Sequence, residues 1–98
     1  MKTLTLVRHA KSSWSDPGAT DHQRTLNERG LRDAPVMGQR LAGHIQPDTI
    51  LCSDATRAKQ TADLLVPAMG LDTSNIQIEP RIYEASTQTL LETIAGLP

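Results

Sequence analysis

An arginine and a histidine, Arg8-His9, close a short apolar run containing Leu4, Leu6 and Val7 near the start of the chain. A buried strand ending on two bulky polar residues would deliver them to its carboxyl end, the place where open parallel α/β sheets bind ligands. There Arg8 could hold a phosphate, while His9 could serve either as a general base or as the nucleophile. A second arginine, Arg57, falls in the first turn of a predicted helix. The positive end of the helix dipole disfavours a cation there by roughly 0.3–1 kcal/mol unless something negative lies close. A phosphate reverses that sign, because free helix N–H groups and a forked guanidinium bind oxyanions together. The competing reading has Arg57 reaching solvent or pairing with Asp54 or Asp63.

Other reactive residue types carry less information. His44 reads as structural and His22 as intermediate. No CxxC, HxxxH or HxE spacing is present, so no metal site is expected, and Cys52 reads as a small buried hydrophobe. Ser12, Ser13 and Ser15 lie in no GxSxG elbow, and the chain contains neither a P-loop nor GxGxxG. Lys11, Arg24, Arg29 and Arg32 could enlarge an anion site or simply solvate a loop and helix; a solvated face is the preferred reading for Arg29 and Arg32.

These residues need elements to position them. Thr3 to Arg8 reads as a strand, and Lys11 to Gln23 as a polar loop. Asn27 can cap a helix reaching to about Gly43, with Leu31, Ala34, Gly38, Leu41 and Ile45 on one side. Pro35 predicts a kink or a late start in that helix. Thr49 to Cys52 reads as a buried strand, followed by a helix capped by Ser53, Asp54 or Thr56 and ended by Pro67 and Gly70. Asn75 to Glu79 alternates as a third strand. Ser86 can then cap a third helix with the stripe Leu90, Leu91, Ile94 and Leu97. This alternation predicts an α/β fold, mainly parallel, with helices on both faces of the sheet.

Composition narrows the functional classes. A chain of 98 residues with 38% hydrophobic and 21% charged residues fits one globular domain, residues 1–98. With no Phe, one Trp and one Tyr, its core should be aliphatic and thin. The balance of 10 Lys+Arg against 11 Asp+Glu supplies no overall basic field for nucleic acid or an anionic membrane. Anion binding must therefore be local. One cysteine makes no intramolecular disulfide, and the N-terminal apolar run is too short for a signal peptide or a membrane span. A cytoplasmic location is expected.

Several segments together resemble the histidine phosphatase superfamily, which includes the cofactor-dependent phosphoglycerate mutases. Leu6-Val7-Arg8-His9-Ala10 looks like its signature, and Ser53 to Ala62 resembles its second phosphate-binding motif. Asp21 to Gly30, Asp33-Ala34 and Met37-Gly38 are similar to the loop and first helix of SixA-like phosphohistidine phosphatases. Ile82-Tyr83-Glu84-Ala85 resembles the segment carrying the acidic residue. The resemblance implies a phosphoglycerate mutase-like fold and His9 as the nucleophile that forms a phosphohistidine intermediate. It further implies Arg8 and Arg57 on the phosphoryl oxygens, Glu84 as proton donor, and Arg24 and Ser15 as loop residues approaching the substrate. No cofactor is implied.

The family pattern also carries a second histidine, in a Gly-His motif after a further strand, which is absent from these 98 residues. The expectation is an N-terminal portion of such a domain. The implied partner is a phosphohistidine-bearing protein or a small phosphate ester, with no nucleic acid or membrane and no oligomeric state specified. A small-molecule phosphatase or mutase is one alternative, and a non-catalytic phosphate-binding module is another.

Overall fold

A computed structural model of the chain describes residues 3–16 and 18–96. Ile50–Cys52 forms β1 and Ile76–Ile78 forms β2, paired in parallel with Ile50 opposite Ile76 and Cys52 opposite Ile78. The Glu79 N–H donates to the Cys52 carbonyl at 2.8 Å and prolongs the ladder by one bond. A parallel pair needs a long crossover, and here it contains a helix, α2, Thr56–Ala68. Two further helices complete the α/β architecture: α1, Glu28–Leu41, and α3, Thr87–Ala95.

Local chemistry explains the helix starts. Asn27 accepts the Gly30 N–H at 2.8 Å to cap α1, and Ser86 accepts the Thr89 N–H at 3.2 Å to cap α3. The start of α2 differs from expectation. Ala55 occupies its N-cap without a side-chain bond, while Ser53 Oγ accepts the Ala55 N–H at 3.1 Å, one residue too early to cap the helix. Pro35 neither delays nor ends α1, which begins at Glu28 and runs through it. That helix stops at Leu41, and Gly43, at φ 80°, takes the left-handed turn that follows.

The α1–α2 pair is the centre of the molecule. A Cβ at Gly38 would stand 2.4 Å from the Leu65 carbonyl oxygen, so glycine lets the two backbones approach. Ala34, Leu65, Val66, Cys52, Ala55 and Leu26 form a core that is aliphatic and thin. The stripe expected on α1 is only partly realised: Ala34 and Gly38 are buried, while Leu31 is exposed. On α3, Thr93 is buried and Leu91 exposed; Leu97 lies outside the described residues.

The expected strand at Thr3 to Arg8 does not form. Among the described residues this run pairs with no neighbour, leaving Leu4, Leu6 and Val7 59%, 74% and 53% exposed. An apolar run becomes a strand only by exchanging hydrogen bonds laterally, and β1 and β2 pair only with each other here.

Candidate active site

The backbone around His9 is held from α2. Thr61 Oγ1 accepts the Ala10 N–H at 3.0 Å and donates to the Arg57 carbonyl at 2.8 Å. Arg57 and Thr61 stand one helical turn apart, so both face the same loop. His9 Nδ1 donates to the Ala10 carbonyl at 2.8 Å, and Nε2 accepts from Arg57 Nε at 3.3 Å. A carbonyl oxygen cannot donate, and the guanidinium cannot accept. Both contacts therefore select one form of the ring, with the proton on Nδ1 and a lone pair on Nε2.

The loop beyond His9 folds back on itself. Ser12 and Leu26 form an antiparallel bridge, flanked by Ser13 N–H to Thr25 carbonyl at 2.8 Å and Asn27 N–H to Lys11 carbonyl at 2.9 Å. Gln60, also on α2, accepts the Leu26 N–H through Oε1 at 2.8 Å. Gly30 receives the loop at α1, where a Cβ would stand 2.2 Å from the Lys11 carbonyl oxygen.

Asp21 organises the cations. Arg57, 8% exposed, donates from Nη1 to the Asp21 carbonyl at 2.5 Å and from Nη2 to Oδ2 at 3.1 Å. Arg24 Nη1 donates to the other carboxylate oxygen at 2.9 Å, and the Tyr83 hydroxyl donates to Oδ2 at 2.5 Å. The Tyr83 hydrogen bond, followed by the arginines, holds the Asp21 carboxyl below its ordinary range; the same bond pushes the Tyr83 phenol upward. Arg24 also donates to the Ser13 carbonyl at 3.2 Å and to Ser12 Oγ, and its guanidinium carbon lies 3.3 Å from the centre of the Trp14 ring.

These contacts frame a cleft of about 580 Å³ lined by His9, Ser12, Trp14, five cations (Arg8, Lys11, Arg24, Arg29 and Arg57) and one acid, Asp33. Arg29 and Asp33 face each other at 3.4 Å. The structure thus brings His9, Arg8, Arg24 and Arg57 together. It does not bring Ser15 or Glu84 to the same place. Ser15 is exposed and shares a 2.7 Å hydrogen bond with Ser13. Glu84 is exposed in the turn after a 3-10 segment at Pro80–Ile82, with φ 48°, and Tyr83 rather than Glu84 reaches Asp21.

The other expectations resolve locally. Arg57 pairs with Asp21, not with Asp54 or Asp63. Asp54 instead meets His22 at 3.0 Å, and the His22 ring packs edge-on against Tyr83 at 4.9 Å. Arg29 and Arg32 are exposed, as expected of a solvated face, and Arg29, its side chain 70% exposed, also borders the cleft. Cys52 is buried, which pushes its thiol pKa up. Among the described residues, no cluster of three or more His, Cys, Asp or Glu side chains could hold a metal ion. Sequence reasoning missed Asp21, Thr61 and Tyr83 as positioning groups. Spacing signals two of them: Thr61 lies four residues after Arg57 on one helix, and Asp21 three before Arg24.

A parallel α/β unit that gathers cations around a histidine lone pair is built to handle an oxyanion. The chain belongs to the histidine phosphatase superfamily (branch 1), whose family model matches residues 4–92. SixA of Agrobacterium tumefaciens, a candidate phosphohistidine phosphatase, has a similar structure: TM-score 0.78 and 37% identity over 92% of this chain and 58% of that one. An uncharacterized Mycobacterium tuberculosis protein is 40% identical over 90% of this chain and 52% of its own length. The serine/threonine-protein phosphatase Pgam5 of Drosophila grimshawi is 32% identical over 85% of this chain and 28% of its own. The chain thus spans about half the length of the first curated relatives it matches, and less of Pgam5.

Proposed function

We propose that the protein is a phosphatase that removes the phosphoryl group from phosphohistidine through an intermediate on His9. The observation carrying this reading is the doubly fixed imidazole, with Nδ1–H bonded to the Ala10 carbonyl and Nε2 facing Arg57. The Nε2 lone pair attacks phosphorus as the P–N bond to the substrate imidazole breaks, and the departing nitrogen takes a proton from water in the open cleft. Water then attacks the phosphoryl group on Nε2, releasing inorganic phosphate and regenerating the ring. Arg57 Nε–H, which occupies the lone pair beforehand, is placed to move to a phosphoryl oxygen as the P–Nε2 bond forms. Phosphoryl transfer asks a protein chiefly for such positioning and charge stabilisation.

The acid–base inventory supports phosphohistidine over an alkyl ester. Asp33, among the described residues the one carboxylate lining the cleft, faces Arg29, and Glu84 is elsewhere. A departing imidazole nitrogen accepts a proton more readily than an alkoxide can leave without one, so P–N cleavage tolerates a poor general acid. The SixA name of a structural neighbour agrees with that substrate class.

The test is trapping of an acid-labile phosphoenzyme on the full chain with a phosphohistidine donor. The expected result is label on His9 that disappears in His9→Ala; equal labelling of that variant overturns the reading. A non-catalytic phosphate-binding module is the second reading, favoured by the position of Glu84 outside the cleft. It predicts stabilisation by phosphate against heat without turnover, lost in Arg57→Ala.

A further inference from the structure

We propose that Trp14 is the platform on which the cleft holds a planar leaving group, an imidazole in the case of phosphohistidine. This rests on the phosphatase reading and adds a specificity residue to it. Trp14 is the largest side chain in the molecule, yet it is 76% exposed and lines the same cleft as His9. It also stands in a polar loop, between Ser13 and Ser15, where no core requires an indole.

The ring is backed on one face. The Arg24 guanidinium lies 3.3 Å from its centre, and Arg24 is anchored independently of Trp14 by Asp21, the Ser13 carbonyl and Ser12. A cation stacked on an aromatic face attracts it electrostatically and restrains its rotation. A restrained ring loses less freedom when a ligand stacks on it, so more of the stacking energy appears as affinity. The size of the cleft agrees: about 580 Å³ leaves room beside a phosphoryl group for the atom that carries it. With the phosphoryl group at His9 and Arg57, a planar substituent reaching Trp14 has an aromatic face to meet, while an alkyl substituent gains no stacking.

The experiment measures calorimetric affinities of the full chain for inorganic phosphate, phenyl phosphate, phosphoimidazole and glycerol phosphate. Fluorescence gives a placement readout, because Trp14 is the sole tryptophan. The planar probes are expected to quench Trp14 emission and to bind about tenfold tighter than glycerol phosphate, the scale of one stacking contact. Trp14→Ala should reduce the ratio of phenyl phosphate to inorganic phosphate affinity about tenfold, and Trp14→Phe should restore most of it. Inorganic phosphate binding without preference for planar probes overturns the platform alone. A wild-type chain that binds neither phosphate nor its esters overturns the phosphatase reading and the platform with it.

Discussion

Lys11 to Asn27, on the carboxyl side of His9, is fastened at every few residues: the Ser12–Leu26 bridge closes it, Gln60 grips Leu26, and Arg57 grips Asp21. Thr3 to Arg8, on the amino side, has the more apolar sequence but presents Leu6 to solvent at 74% exposure. Two adjacent segments thus invert the usual relation, with the polar one ordered by specific bonds and the apolar one without a surface to cover. The contrast teaches that, among the described residues, it is α2 that holds His9, through Thr61 and Arg57.

The severest way to break that contrast is to move α2. Gly38→Ala places a Cβ 2.4 Å from the Leu65 carbonyl oxygen, and backbone on both helices cannot yield cheaply. The expected loss is about 3 kcal/mol, a fall in Tm on the order of 15 °C, read by thermal unfolding. A variant as stable as the parent shows that the helices do not approach this closely.

A finer cut leaves the helix pair in place and removes its grip. Thr61→Val abolishes the acceptor for the half-buried Ala10 N–H, and the expected cost is about 2 kcal/mol. Hydrogen exchange at Ala10 should accelerate in that variant; unchanged protection means that something other than α2 holds the His9 backbone.

Asp21 makes the stability of the fastened loop depend on pH. Its carboxyl is held low, so its contribution to stability is present above the ordinary carboxylate pKa and fades as pH falls through the lowered folded value. The Tyr83 phenol is held high, so its contribution is present below about pH 10 and fades as pH rises through the raised value. Tyr83 is the sole tyrosine, and its ultraviolet titration reads the pair directly. Asp21→Asn should move that midpoint down toward about 10 and flatten the acid limb of the stability profile. An unmoved midpoint separates Tyr83 from Asp21.

The smallest effect is expected on the amino side. Leu6→Lys should change the stability of this chain by no more than about 0.5 kcal/mol in denaturant unfolding. A loss of 2 kcal/mol or more, on the order of a buried leucine, would place Leu6 in a core and erase the contrast.

Legibility in the sequence followed the range of the physics involved. Caps at Asn27 and Ser86 act within three residues and were readable, as were the helices they start and the two strands that pair. Ala55 was not, because Ser53 spends its acceptor on the turn before the helix. Arg8, His9 and Arg57 could be singled out by type and by strand or helix ends. Tyr83 could not, since its value lies in a contact with Asp21, 62 residues away in sequence. The apolar pattern of Thr3 to Arg8 was misleading for the same reason: alternation describes one segment, whereas a strand is a property of two.

The Ser12–Leu26 bridge also divides the loop into a base and a tip. Within the tip, Asp16 turns the chain locally, accepting the Gly18 N–H at 2.9 Å and the Ala19 N–H at 3.2 Å. Residues inserted beside Gly18 would lengthen the tip without shifting Lys11 or Leu26, because the bridge fixes both below it. The fold therefore offers a grafting position, where new sequence can be installed while the paired base of the loop at Ser12 and Leu26 keeps its place.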